Sequence, residues 1–293
     1  MANSLAKVIV ATGASSGLGF EAIKQLLNQQ QRYKFILGVR DVAKTQAAYN
    51  ALQFDANSHS VDILPLELSD LKGVRTFARR VLESLGSAEK LDYLMLNAAR
   101  SHPATAPGPN GSIWSETHIV NHVSQHYLVH LLRDKLVSSN SRVVFVSSGA
   151  FRMVKDISTL ESDLKAGSDL QVYAQSKLVA LLGAHWWRRQ LADKCTVVAV
   201  SPGFIPNTNL GAGAGMKFTM DMPDAKPLSE GAASILRAFT RDDFPEDPDR
   251  VFLTSWGEWW GREEIAVTLD KDLQDKWCPS KEQLEQEEGI TRE

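Results

Sequence analysis

An α/β protein built on a doubly wound parallel sheet is what this sequence predicts. Three observations carry the prediction: short β-branched strands alternate with amphipathic helices over most of the 293 residues, a glycine-rich turn joins the first strand to the first helix, and no internal repeat explains the alternation. The first strand is KVIVATG, a short apolar run ended by glycine; FEAIKQLLNQ follows, with Phe20, Ile23, Leu26 and Leu27 at helical spacing. Strand YKFILGV and helix DVAKTQAAYNAL come next, then strand SVDILPL, helix SDLKGVRTFARRVLESL and strand LDYLML. A helix around Ile119 to Val137, strand SRVVFVSS, a helix over 170–192 and strand KCTVVAVS continue the rhythm. RVFLTS is the last strand, before a charged helix near Asp270 to Glu288. Parallel neighbours need crossover connections, so this alternation places helices on both faces of one sheet.

Composition narrows the class without naming the chemistry. With 43% hydrophobic and 23% charged residues the chain has the make-up of a globular protein, and it holds no apolar run long enough for a membrane span. Against 35 acidic residues stand 32 Lys and Arg, a net charge of −3 that offers no general attraction to nucleic acid. Two cysteines, Cys195 and Cys278, make neither a disulfide framework nor a Cys-rich zinc site, so the expected location is cytoplasmic. His118, His122, His126 and His130 recur every four residues on one predicted helix, but without acidic or Cys companions they read as the lining of a helix face, and no metal is expected.

The turn between the first strand and helix is Thr12-Gly13-Ala14-Ser15-Ser16-Gly17-Leu18-Gly19. Glycines there allow a tight turn and close approach of the backbone to a pyrophosphate, whose charge the helix N-terminus favours. At the end of the second strand, where an acid would accept from a free ribose hydroxyl, stands Arg40, a fork of donors suited to a 2′-phosphate; NADP(H) is therefore expected over NAD(H). Asp41 reads as the cap of the next helix.

On the helix over 170–192, Tyr173 and Lys177 are four residues apart and so share one face, one turn apart. A phenol has an unperturbed pKa of ~10, and a nearby ammonium is expected to lower it toward neutrality, which suits proton exchange with a carbonyl or alcohol oxygen. Ser147 and Ser148 end the strand VVFVSS, at the sheet edge where ligands bind in open α/β folds.

Taken together, the turn at Thr12 to Gly19, Asn97-Ala98-Ala99, Asn121, the serine pair, Tyr173 with Lys177, and Pro202-Gly203 resemble the short-chain dehydrogenase/reductase family along nearly the whole chain. The details are most similar to the branch of retinol dehydrogenase-like enzymes and light-dependent protochlorophyllide reductase. The resemblance implies a Rossmann-type sheet of seven strands in the order 3-2-1-4-5-6-7 and hydride transfer at the nicotinamide. It implies Tyr173 as general acid, Ser148 as hydrogen-bond donor to the substrate oxygen, Lys177 on the nicotinamide ribose and Asn121 steadying a proton-relay water, with Ser147 as reserve for Ser148. Besides Tyr173 and Lys177, the implied cofactor contacts are Gly13, Ser15, Ser16, Gly17, Leu18, Gly19 and Arg40, then Glu67, Leu68, Asn97 and Ala98, and finally Pro202, Gly203, Ile205 and Thr208. Glu67 departs from the family's usual Asp, and Asn207 stands where a Thr is usual, with Thr208 as the substitute.

The reading is one dinucleotide-binding catalytic domain over 1–293, with a substrate loop at about 203–228 and a C-terminal helical extension at about 256–293. In the loop, GAGAG reads as a hinge, and Met216, Phe218, Met220 and Met222 either as an adaptable apolar surface, which makes a fairly apolar carbonyl compound the expected substrate, or as residues packed against the domain; a natural-product intermediate is a fitting setting that no residue identifies. Trp186 and Trp187 read as packing or interface residues, and Trp256, Trp259 and Trp260 as a packed helical turn. The expected function is NADPH-dependent reduction of a ketone or aldehyde, reversible toward alcohol oxidation. A non-redox isomerase or cyclase on the same scaffold is the alternative, and a cofactor-binding regulatory protein a third, which the complete Ser-Tyr-Lys-Asn set disfavours. The resemblance also implies a homodimer or homotetramer through the Tyr-bearing helix, with a monomer left open.

Overall fold

In the computed structural model, which describes residues 6–290 apart from 106, 207, 209 and 211–218, the strand KVIVAT forms β1 (Lys7–Thr12) and is buried on both faces. Alternate side chains leave a strand on opposite sides, so Val8 and Val10 join one apolar layer and Ile9 and Ala11 the other. The same holds along β2 (Tyr33–Val39), β4 (Tyr93–Leu96), β5 (Arg142–Val146) and β6 (Thr196–Val200), with β3 (His59–Pro65) and the short β7 (Phe252–Leu253) at the edges. All pairings are parallel and the order is 3-2-1-4-5-6-7, as the sequence led us to expect. The chain turns outward from β1 to β3 and then returns past β1 to start β4. The strand ends beside β1 and β4 therefore form the crevice where such sheets bind ligands.

Helices α1 (Gly17–Leu27), α2 (Val42–Asn50) and α3 (Leu71–Leu85) follow the first three strands. Asp41 accepts from the Lys44 amide and caps α2, and Asp70 caps α3 through the Lys72 amide. After β4, α4 starts at Glu116–His118, widens to a π-helical stretch over Ile119–Val123 and continues over Ser124–Ser139. Helix α5 (Leu160–Ala166) precedes the long α6 (Asp169–Gln190), which carries Tyr173 and Lys177.

The sequence reading does not assign helix α5, and three further stretches differ from it. A further helix, α7 (Leu228–Thr240), lies between β6 and β7 and packs against α1, where the sequence reading assigned none. Its buried face alternates small residues, Gly231, Ala232, Ser234 and Ala238, with Ile235 and Phe239, and at Gly231 the missing side chain leaves room for Leu18 of α1. The stretch bearing Trp256, Trp259 and Trp260 forms no helical turn: Gly257, with φ of 94°, reverses the chain so that Trp259 pairs antiparallel with Leu253. The C-terminal helix is split into α8 (Lys271–Trp277) and α9 (Lys281–Glu287) by Cys278 and Pro279, since proline disfavours helical conformation in the residue before it.

Helices α8 and α9 form a strap across α4 and α6, and the four-residue histidine repeat lies beneath it. His118, His122 and His126 stack with ring centroids 5.5 Å apart at each step, and His130 meets His126 edge-on at 4.6 Å. Trp187, fully buried, donates its indole N–H to His126 Nδ1 at 2.9 Å. The hydrogen of that neutral ring therefore sits on Nε2, which donates to the Pro279 carbonyl at 2.9 Å and has no lone pair left for a metal ion. His122 Nε2 donates likewise to the Trp277 carbonyl at 2.8 Å. Trp186 bonds Asp275 of the strap, so its indole packs under the extension and does not stand on an open face.

Burial holds this column uncharged: His122 and His130 are pushed down to about 4, and His118 and His126 are held well below the ordinary imidazole range by the same cause with help from neighbouring rings. An unfolded chain protonates these rings from 6.5 downward, whereas the folded chain resists to about 4. Stability supplied by the column is thus complete above pH 6.5 and lost as pH falls through the folded values. We expect Tm, followed by circular dichroism, to be level from pH 8 to 6.5 and to drop steadily toward pH 4. A level Tm across the lower window would mean the rings are not buried neutral.

Candidate active site

Two glycines of the turn after β1 are dictated by contact. A Cβ on Gly13, whose φ is 67°, would lie 2.6 Å from the Ala98 Cα, and one on Gly19 would lie 2.2 Å from the Gly13 carbonyl oxygen. The turn is fixed from beneath by Thr12, which is fully buried. Its hydroxyl accepts the amides of Asn97 and Ala98 at 3.1 Å and donates to Gln125 Oε1 at 3.0 Å, while Gln125 Nε2 returns to the Ala98 carbonyl at 2.6 Å. Asn97 Nδ2 donates to the Gly13 carbonyl at 2.9 Å, and buried Tyr49 donates to the Ala14 carbonyl at 2.8 Å. Sequence reasoning missed Thr12, Gln125 and Tyr49 as positioning residues; the pairing of a turn Thr with a strand-end Asn was the available signal for the first.

These bonds open a cleft of about 310 Å³ at the strand ends. Of the expected cofactor contacts, Gly13, Ser15, Ser16, Gly17 and Leu18 line its floor, Arg40, Glu67 and Leu68 one wall, Asn97 and Ala98 the other, and Thr208 its far side. Ser16 precedes α1 without a side-chain cap bond, and the first turn of α1 has no acidic residue, so its amides face the cleft ready for an anion. Glu67 spends one carboxylate oxygen on the amide and hydroxyl of Ser69, at 3.0 and 2.8 Å, closing its own turn. Gly19, Tyr173, Lys177, Pro202, Gly203 and Ile205 are not on this lining. Gly19 and Ile205 support it: Gly19 packs under Gly13, and Ile205 packs between Leu18 and Gly231 of α7. Arg100, Ser101 and His102 also line the cleft, and Lys226 shares a neighbouring depression with Gly17 and Thr208; sequence reasoning named none of these as contacts.

The proton-transfer candidates gather at the ends of β5 and α6. Ser148 caps the short helix after β5 and reaches the Tyr173 phenol, while Ser147 points to the α6 backbone at the Lys177 carbonyl, 3.5 Å away. The second serine therefore faces the phenol, not the reserve candidate. Lys177 is 3% exposed; its ammonium donates to the Val146 carbonyl at 3.0 Å and lies 5.8 Å from the centroid of the Tyr173 ring. Asn121, in the π-helical stretch, clasps the Arg100 backbone through Oδ1 and Nδ2 at 2.8 and 2.9 Å and donates to Ser176 Oγ at 2.9 Å. Ser176 in turn donates to the Tyr173 carbonyl at 2.8 Å. All four candidates thus belong to one connected neighbourhood.

Electrostatics reverse one expectation. Burial pushes the Tyr173 phenol up to about 12, with the Ser148 hydroxyl pulling the other way, and no lowering by Lys177 is felt. Lys177 is itself pushed down to about 8 by loss of solvent. Lys177 is buried and Tyr173 half-buried, and loss of solvent penalises each charged form.

The expected substrate loop is described only in part. Its base is tied by the Phe204 and Lys226 amides, which donate to Asp224 and Phe204 carbonyls at 2.9 and 2.8 Å. Met220 and Met222 are exposed, while Asn207, the GAGAG hinge, Met216 and Phe218 lie outside the described residues. Among the described residues, no helix is long and apolar enough to cross a membrane and no group of three His, Cys, Asp or Glu could hold a metal ion.

With this geometry in hand, comparison with known proteins is informative. Residues 7–216 match the short chain dehydrogenase family. A short-chain dehydrogenase/reductase of Pestalotiopsis microspora is 56% identical over 291 residues, 97% of this chain and all of that one. Human retinol dehydrogenase 12 is 33% identical over 211 residues, 68% of this chain and 61% of that protein. Among solved structures, an NADPH-bound carbonyl reductase from chicken fatty liver superposes with a TM-score of 0.67 at 19% identity, over 88% of this chain and all of that one. Salutaridine reductase of Papaver somniferum does so with 0.60 at 20%, over 84% and 98%. At such identities these two likenesses speak for the fold.

The Thr12 hydroxyl gives the site its sharpest mechanical test. Thr12→Val strands two buried amides and one buried amide oxygen, which should cost about 2–4 kcal/mol in urea unfolding, whereas Thr12→Ser should keep most of that stability. Equal stability of the Val and Ser variants would show that the hydroxyl is not what holds the turn.

Proposed function

The chain belongs to the short-chain dehydrogenase family, and from that premise we propose that it is an NADPH-dependent reductase of a ketone or aldehyde, reversible toward the alcohol. One observation carries the reading: a half-buried, protonated phenol and a serine hydroxyl face each other beside a buried lysine. Bound NADPH supplies the hydride to the carbonyl carbon. Tyr173 gives its proton to the carbonyl oxygen as the new C–H bond forms, and Ser148 steadies that oxygen by a hydrogen bond as negative charge develops. A phenol held near 12 is in the proton-donating form across the physiological range, which suits the reductive direction. Lys177 would hold the nicotinamide ribose, and Asn121 would fix the backbone around it.

Support for the phosphorylated cofactor is Arg40 on the cleft wall, with Asp41 committed to capping α2. The names of the relatives point the same way: one neighbour is an NADPH-bound carbonyl reductase, another acts as salutaridine reductase. Exposed Met153, Met220 and Met222 follow Ser148 and Gly203 in the chain and favour a fairly apolar small molecule, such as a natural-product intermediate. We propose a cytoplasmic setting and one catalytic domain over 1–293.

Incubation with NADPH deuterated at the transferred position and a carbonyl panel should place deuterium on the product carbon, read by mass spectrometry. Tyr173→Phe should lower that rate by about 10²- to 10⁴-fold. Product formed without NADPH oxidation would instead point to isomerisation or cyclisation. Because Lys177 is charged below about 8 and neutral above it, kcat/KM for reduction should decline as pH rises through that value; a profile level to pH 10 would remove its charge from the mechanism.

A further inference from the structure

We propose that Arg100 is a second clamp on the adenosine 2′-phosphate, acting with Arg40 across the cleft, and that Glu116 parks it between binding events. The proposal rests on the NADP(H) reading above and extends it to a residue outside the glycine turn and the strand-end arginine.

Placement is the first argument. Arg40 follows β2 and Arg100 follows Asn97-Ala98-Ala99 after β4, strands that flank β1 on opposite sides, and both arginines line one cleft together with Glu67. Two arginines on one cleft, one from each side of β1, match a dianionic phosphate, whose oxygens take paired N–H donors from more than one side. Arg100 feels this crowding: burial lowers its pKa first, the like charge of Arg40 lowers it further, and Glu67 acts oppositely. An anion between the arginines would remove that repulsion.

The pose of Arg100 is the second argument. Nη1 pairs with the Glu116 carboxylate, while Nε, buried, has no acceptor among the described residues. A guanidinium with an unused buried donor gains from turning toward a multivalent acceptor. Glu116 loses little by releasing it, because it sits in the first turn of α4, where the helix amides favour a carboxylate, and is 38% exposed.

The backbone supplies the third. Both main-chain polar groups of Arg100 are held by the Asn121 side chain, at 2.8 and 2.9 Å. Only the side chain is free to swing, and its pivot is anchored to the network that reaches the Tyr173 carbonyl through Ser176. Recognition of the phosphate is thereby built onto the residue whose backbone Asn121 holds.

Calorimetric titration of the intact protein with 2′,5′-ADP and with 5′-AMP, which lacks the 2′-phosphate, tests this. Arg100→Ala should weaken 2′,5′-ADP by about 10- to 100-fold and leave 5′-AMP unchanged, with Tm as the check on folding. Glu116→Gln should bind 2′,5′-ADP at least as tightly as the parent. Equal weakening of both nucleotides by Arg100→Ala would mean that the guanidinium stacks on adenine, and no weakening of either would mean a merely structural pair; each overturns the proposal. So would weaker 2′,5′-ADP binding by Glu116→Gln. If the parent protein does not prefer 2′,5′-ADP, the NADP(H) reading itself fails. If it does, and only Arg40→Ala abolishes the preference, the reading stands and the role of Arg100 falls.

Discussion

One buried hydroxyl decides whether this molecule has a cleft. Thr12 lies where β1 stops, and its oxygen meets two amides from the end of β4 and an amide side chain from α4. Those bonds set the separation of the strand ends from which the glycine turn departs. Because they draw Ala98 against the turn, residue 13 has no room for a side chain, and because Gly13 turns back on itself, residue 19 has none either. The glycines are a consequence of that closeness as much as a preparation for a phosphate. A valine of the same shape would fill the space and satisfy none of the three partners.

Much of this was legible beforehand for physical reasons that differ from element to element. Strands β1, β2, β4, β5 and β6 announce themselves because they are apolar on both faces, and the order of the strands was what the family resemblance implied. The turn and the Tyr173–Lys177 pair announce themselves because few sequences satisfy both spacing and context. Helix α7 did not, since Gly, Ala and Ser, residues of little hydrophobic contrast, make up much of its buried face. Arg100 did not either, because its meaning depends on a neighbour sixty residues earlier, across a cleft that exists only after folding. The tyrosine's protonation was misjudged for a related reason: spacing shows that a cation is near, whereas burial, which outweighs it, is a property of the whole fold.

That last point generalises across the molecule. Around Tyr173, Lys177 and the histidine column loss of solvent shifts the balance toward the neutral form: the phenol and the imidazoles stay uncharged at neutral pH, while the ammonium holds its proton only up to about 8. In the site this keeps a phenol able to give a proton. Under the strap it lets imidazoles behave as packing rings with one directed donor, so that carbonyls of Trp277 and Pro279 find partners in an otherwise apolar seam.

The strap also explains why α6 can carry catalytic residues at one end and tryptophans at the other. Tyr173 lies near the start of a helix that runs on to Gln190, and a small tilt of such a rod moves its tip by ångströms. At its far end Trp187 is bonded to α4, while Trp186 and Arg189 are bonded to Asp275 of α8. Lys177, nearer the start, is bonded to β5. A rod held at both ends by directed bonds can shift only if bonds at one end break. The C-terminal segment is therefore part of what aims the phenol, although it supplies no group to the cleft.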